Sequence, residues 1–182
     1  MVPIPTGERR YEAIEMDFVA ELTLSEALNA ILVITDRFTK VQRYLPARTT
    51  WTVAVVTNAY MHEIRRLHEL PRQISFDSGP QFASKFFRNL NGELAINLRL
   101  STAYYPVTDG LRKRTVQPLK HYLAIYNHDW HTRWRACLPL AEFAYNGTCT
   151  TSHVYSANRT SYGLKPRTIH LDKDYKLASP AS

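Results

Sequence analysis

The chain has 182 residues, enough for one ordinary domain with a sizeable core, and its 45% hydrophobic content excludes wholesale disorder. A net charge of +7 with a pI near 9.5 favours a polyanionic partner, although a generically basic surface would look the same by charge alone. The longest apolar run, residues 30–34, is too short to cross a bilayer, and no basic region followed by an apolar stretch opens the chain, so no membrane span or secretory leader is expected.

In chain order, Ile14, Met16 and Phe18 alternate, which predicts a strand over residues 11–19 with Asp17 on the face opposite those apolar side chains. Residues 30–35 are continuously apolar and read as a central strand, with residues 41–45 returning beside it after a turn over 36–40. Val53, Val56, Tyr60, Ile64 and Leu67 recur at helical spacing and predict a helix covering one sheet face and ending near Leu70, before Pro71. Residues 73–76 make a short strand that delivers Asp77 to its end, where clefts in open sheets commonly lie. Pro80 is suited to the first turn of a helix running toward Gly92. Residues 97–100 are expected to close the sheet, and a helix after Asp109 to extend to about Asn127. A last helical segment near residues 134–145 places Trp134, Leu138, Ala141 and Tyr145 on one side, with Pro139 starting or bending it.

Two aspartates stand in distinctive settings, Met16-Asp17-Phe18 and Phe76-Asp77-Ser78-Gly79-Pro80-Gln81-Phe82. In-line attack on a phosphodiester is stabilised by two divalent ions that clamp the attacking and leaving oxygens. Magnesium wants hard oxygen ligands in octahedral geometry, which a few carboxylates with water and substrate phosphate supply. Two acids on adjacent strands with a third on a nearby helix would form such a site, and Asp17 and Asp77 suit the strand positions. The seven histidines are scattered, and Cys137 and Cys149 form no Cys-x-x-Cys pair, so reduced thiols in an intracellular protein and no zinc constellation are expected.

Further segments occur in a fixed order. They are Asn29-Ala30-Ile31-Leu32-Val33-Ile34-Thr35-Asp36-Arg37-Phe38-Thr39-Lys40, Leu67-His68-Glu69-Leu70-Pro71, the Asp77 motif, and Leu98-Arg99-Leu100-Ser101-Thr102-Ala103-Tyr104. Thr108-Asp109-Gly110 and Leu138-Pro139-Leu140-Ala141-Glu142-Phe143-Ala144-Tyr145-Asn146 follow. Six such motifs in register, spanning about residues 3–167, resemble the integrase catalytic core of gypsy-type LTR retrotransposons.

The resemblance implies an α/β RNase H-like fold, a mixed five-stranded sheet flanked by helices, and a polynucleotidyl transferase using an Asp, Asp, Glu triad with Mg2+ or Mn2+. It implies DNA, with RNA as an alternative, as partner, a nuclear location, and no small-molecule cofactor. It divides the chain into a linker-like segment 1–10, a core 11–167 and a tail 168–182, so a core alone is expected, without the zinc-binding and C-terminal domains of related integrases. Helices near the last segment build a dimer interface in retroviral relatives; here homodimerisation and packing on the chain's own sheet both stand as readings.

Carried over by residue, Asp17 and Asp77 take the first two metal-binding positions, and the third catalytic position, 35 intervening residues after Asp77, is Lys113 where the family has glutamate. An ammonium has three donors and no lone pair to offer a metal. At about 4 Å from a divalent ion, and an effective dielectric near 20, it is repelled by roughly 8 kcal/mol before screening and relaxation. Weak metal binding and impaired or absent catalysis are therefore expected. Asp109, four residues earlier, would share a helical face with Lys113 and is the one alternative third ligand, but Thr108-Asp109-Gly110 reads more naturally as a capped helix entry.

Arg112, Lys113, Arg114 and Lys120 lie where the family places its nucleic acid, and Tyr104 and Tyr105 are suited to stacking on unpaired bases, so a catalytically dead nucleic-acid-binding protein is the alternative, beside a relic without function. The basic triplet 112–114 reads as a solvated helix face or as a nuclear signal. Asn158 and Arg159 depart from the family's usual proline, phenylalanine and glutamate before Tyr162-Gly163.

Overall fold

Three strands next to one another in the sequence form a meander, and a fourth joins it in parallel. In a computed structural model that describes residues 8–20, 22–76, 80–94, 119, 121–123, 130–149 and 155–164, these are β1 (Ala13–Val19), β2 (Ala30–Asp36), β3 (Gln42–Ala47) and β4 (Gln73–Phe76). The sheet order is β3-β2-β1-β4. β1 pairs antiparallel with β2 (Met16 opposite Ile34) and parallel with β4 (Met16 opposite Phe76), and β2 pairs antiparallel with β3 (Leu32 opposite Leu45). The sheet is mixed, as expected, but has four described strands rather than five; the expected fifth, 97–100, lies outside the described residues.

β1 and β2 are interior, so both faces of each need apolar cover, which is why β2 is a continuous apolar run. One face buries Ile14, Met16, Leu32 and Ile34 against helices α1 (Val53–Tyr60) and α2 (Pro80–Leu94), through Val56, Tyr60, Phe86 and Leu90. The other face buries Val19, Ile31, Val33 and Tyr44 against Leu119, Leu123 and helix α3 (Trp130–Gly147), through Trp134, Leu138 and Ala141. Each fully buried large side chain contributes about 1.5–3 kcal/mol, so two such faces account for the stability of a sheet this small. A short helix, α4 (Ala157–Tyr162), is capped by Ser156, whose hydroxyl accepts the Arg159 N–H, and ends at Gly163, whose φ of 73° glycine adopts at no steric cost.

Two local expectations are corrected. Helix α1 does not run regularly to Leu70: it widens into a π-turn at Met61–Arg65, and the Ile64 carbonyl then accepts both the Leu67 and His68 N–H groups. That closing turn keeps Ile64 on the sheet but turns Leu67 outward, 51% exposed, so Leu67 is not part of the covering face. Pro139 neither starts α3 nor marks its break; it lies inside the helix, and the non-helical dihedrals fall at Arg133 (φ −118°, ψ 18°). The expected helix after Asp109 is described only at residues 119 and 121–123, which are helical.

Candidate active site

Strand alternation in β1 sends Ile14 and Met16 to the α1/α2 face and Asp17 to the other, shared with Val19, as the sequence periodicity predicts. Asp17 stands opposite Val33 of β2 and is 8% exposed, a carboxylate set into an interior strand near its C-terminal end. The parallel pair on the other side is in register up to Met16 opposite Phe76. Asp17 and Asp77 each follow a member of that pair in the sequence.

The aromatic neighbours of the two aspartates are tied together. Phe18, after Asp17, and Phe76, before Asp77, both pack edge-on against Phe82 of α2, with ring centroids 6.3 and 5.1 Å away. Phe76 also meets Phe86 at 5.1 Å, and Phe86 meets Tyr60 of α1 at 5.7 Å. Edge-to-face pairs add about 0.5–1.5 kcal/mol each beyond area burial. The ladder fixes the C-terminal ends of β1 and β4 against α2, a positioning role for Phe82 that periodicity alone did not reveal. The signal was present in the phenylalanine five residues after Asp77.

Of the sequence-predicted site residues, Asp17 is described; Asp77, Tyr104, Tyr105, Asp109, Arg112, Lys113, Arg114 and Lys120 lie outside the described residues. Among the described residues no group of three or more histidines, cysteines, aspartates or glutamates is placed to hold a metal ion. Asp17 supplies hard carboxylate oxygen, the donor type that suits Mg2+. Cys137 is half-buried and Cys149 exposed, and neither is in a disulfide among the described residues. No helix among the described residues is long and apolar enough to cross a membrane.

The other buried acid, Asp36, is structural. Its carboxylate accepts the N–H groups of Tyr11 (3.1 Å), Phe38 (3.2 Å) and Thr39 (3.2 Å) and the Thr39 hydroxyl (2.5 Å), closing the β2–β3 turn in which Lys40 takes a φ of 63°. Tyr11 stacks on His68, ring centroids 3.7 Å apart, and burial pushes its phenol up to about 12. His68 is held below the ordinary imidazole value, first by burial and then by the guanidiniums of Arg43 and Arg10. A cavity of about 380 Å³, lined by Arg43, Glu63, Leu67, Arg135, Leu138 and Glu142, lies between β3, the π-turn and α3; Asp17 does not line it.

The backbone path of this chain matches solved integrase cores. It superposes on the simian T-cell lymphotropic virus intasome structure, solved in complex with PP2A regulatory subunit B56 gamma, with TM-score 0.66 and 20% identity, over 97% of this chain and 63% of that one. Against the HTLV-2 integrase catalytic core domain in complex with magnesium, in its dimeric form, the TM-score is 0.58 at 18% identity, covering 84% of this chain and 96% of that one. Against the catalytic core domain of BIV integrase it is 0.56 at 20% identity, covering 83% and 93%. The fold is that of an integrase catalytic core.

The chain also has relatives in sequence. The chain is 27% identical over 144 residues to the Transposon Tf2-3 polyprotein of Schizosaccharomyces pombe, and equally to Tf2-4 of the same organism. The match takes in 79% of this chain and 11% of each polyprotein. No protein-family model matches the chain. The chain is thus an integrase-core-like domain with transposon relatives.

Proposed function

We propose that this chain is the catalytic core of a gypsy-type LTR retrotransposon integrase, a DNA-joining polynucleotidyl transferase whose activity is weak or lost because Lys113 replaces the third acid. The observation that carries the reading is the parallel register of Met16 with Phe76, because Asp17 and Asp77 each follow a member of that pair in the sequence. Support comes also from the transposon polyprotein relatives and from the HTLV-2 core, which was solved with magnesium. Asp17 and Asp77 would hold Mg2+ or Mn2+; when bound, the ions supply charge stabilisation at the transferring phosphoryl oxygens. Asp17 contributes a fixed acceptor whose strand is clamped through Phe18 and Phe82. Lys113 brings a positive charge to the position that needs an acceptor, where it competes with the ion for the two aspartates.

In this reading residues 11–167 form the core, flanked by a linker-like segment 1–10 and a tail 168–182. Tyr104, Tyr105, Arg112, Lys113, Arg114 and Lys120 contact nucleic acid, the protein acts in the nucleus, and two copies associate as in the dimeric HTLV-2 core. The test is divalent-metal-dependent nicking and strand transfer on short DNA duplexes by the natural chain and by Lys113→Glu, each beside its Asp77→Asn control. Activity confined to Lys113→Glu and abolished by Asp77→Asn is expected. Activity of the natural chain that Asp77→Asn removes would overturn the impairment and make Asp109 the third ligand.

A further inference from the structure

Beside the start of β1, two aromatic and two cationic side chains pair ring to guanidinium. Tyr155 carries the Arg159 guanidinium 4.3 Å from its ring centroid. Arg159 and Tyr162 share a face of α4 at i, i+3 spacing. Tyr162 in turn carries the Arg10 guanidinium at 5.2 Å. The stripe is anchored from below, because Ala157 and Ser161 are buried and Arg10 also donates to the Ser161 carbonyl at 2.5 Å. Tyr155 and Tyr162 are 50% and 56% exposed, large for aromatic rings that pack on a domain.

Charge around the stripe favours an anionic occupant. Arg9, Arg10 and Arg159 are exposed, whereas the nearby Glu12 carboxylate is already engaged by the N–H groups of Glu8 and Arg9 and by Arg72 at 3.3 Å. Arg159 is one of the two residues at which this segment departs from the pattern that the rest of the chain resembles, so the stripe is a property of this chain.

We infer that Tyr155, Arg159, Tyr162 and Arg10 form a binding surface for single-stranded nucleic acid, separate from Asp17. A single strand presents bases and phosphates in alternation, matching alternate rings and guanidiniums, whereas an acidic peptide offers charge without flat faces for the tyrosines. Arg10 precedes β1 and Asp17 is its fifth residue, so at about 3.3 Å per residue the start of β1, next to which Arg10 lies in the chain, is ~13 Å from Asp17 along the strand. The surface therefore extends the contact made by this chain beyond the strand ends around Asp17, and its binding does not require metal.

The experiment is fluorescence anisotropy of the full chain with labelled single strands of about 20 nucleotides, thymidine DNA in one arm and uridine RNA in the other, and a duplex of equal length. Tyr155→Ala and Tyr162→Ala should each weaken single-strand binding about tenfold, and the phenylalanine variants, which keep the ring, should retain it. Arg159→Gln should lower the slope of log affinity against log salt by about 0.7, and Arg48→Gln, an exposed cation beyond β3, should leave it unchanged. The arm that binds more tightly identifies DNA or RNA as the occupant. Equal affinities of the natural and alanine chains, or no single-strand binding by the natural chain, would overturn the inference. Because nicking is not read in this assay, failure of the catalytic reading and failure of this one are separable.

Discussion

The side-chain amide of Asn146 pairs with both backbone groups of Gln42, accepting its N–H and donating to its carbonyl, each at 2.9 Å. β3 is an edge strand, and one turn earlier on α3 Glu142 accepts the Tyr44 N–H at 2.9 Å while it ion-pairs with Arg43 at 2.6 Å. Two side chains of a helix thus stand in for a neighbouring strand and cover an edge that would otherwise invite pairing with another chain. Both residues belong to the Leu138-to-Asn146 motif, whose role here is to dock α3 on the sheet.

Asn146→Ala leaves the buried N–H and carbonyl of Gln42 without partners and should cost about 2–4 kcal/mol. Asn146→Asp, which keeps the acceptor, should cost less. Urea unfolding midpoints of the two variants measure the difference, and equal midpoints would remove the edge-covering role.

Asp36→Ala strands the N–H groups of Tyr11, Phe38 and Thr39 and should destabilise by about 3 kcal/mol or more. Asp36→Asn retains one oxygen and should fall between. Hydrogen exchange at those three amides should accelerate in the alanine variant before the rest of the sheet responds.

Trp134 is fully buried and its indole N–H donates to the Thr23 carbonyl at 2.8 Å. Trp134→Phe loses that bond and leaves a small void, expected to cost about 1–3 kcal/mol, while Trp134→Ala should cost about 3–5 kcal/mol. Thermal denaturation read by circular dichroism orders the two.

His68 gives the fold an acid sensitivity with a definite sign. Burial, then Arg43 and Arg10, lower its folded value below 6.5, against a weaker opposing pull from Asp36. The unfolded chain therefore takes up the proton first as the pH falls. Stability present above about pH 6.5 declines as the pH drops through the lowered folded value. His68→Gln also loses the stack on Tyr11, so it should melt lower at pH 7 yet show a flatter decline between pH 7 and 5 than the natural chain.

If Lys113 is what excludes the ion, magnesium should raise the thermal midpoint of Lys113→Glu and leave that of the natural chain nearly unmoved. At a hundredfold excess over the dissociation constant the stabilisation is about 2.7 kcal/mol, a shift of several degrees. A natural chain that responds as strongly as the variant would contradict the proposed impairment.

The sequence by itself determined the strands and their faces. Alternation at Ile14, Met16 and Phe18, the continuous run in β2, and the four residues before Asp77 gave β1, β2 and β4, because strand periodicity and burial on one or two faces are local properties. They also put Asp17 on the correct face. The tertiary structure decided what depends on partners distant in the chain. Leu67 fits the helical period but turns outward because the π-turn closes on the Ile64 carbonyl, and Pro139 sits inside α3, whose break is at Arg133. Phe82 clamps the ends of β1 and β4, and Asn146 reads the backbone of Gln42 across 104 positions of chain. No spacing rule links such pairs, since only the packing of α2 and α3 on the sheet brings them together.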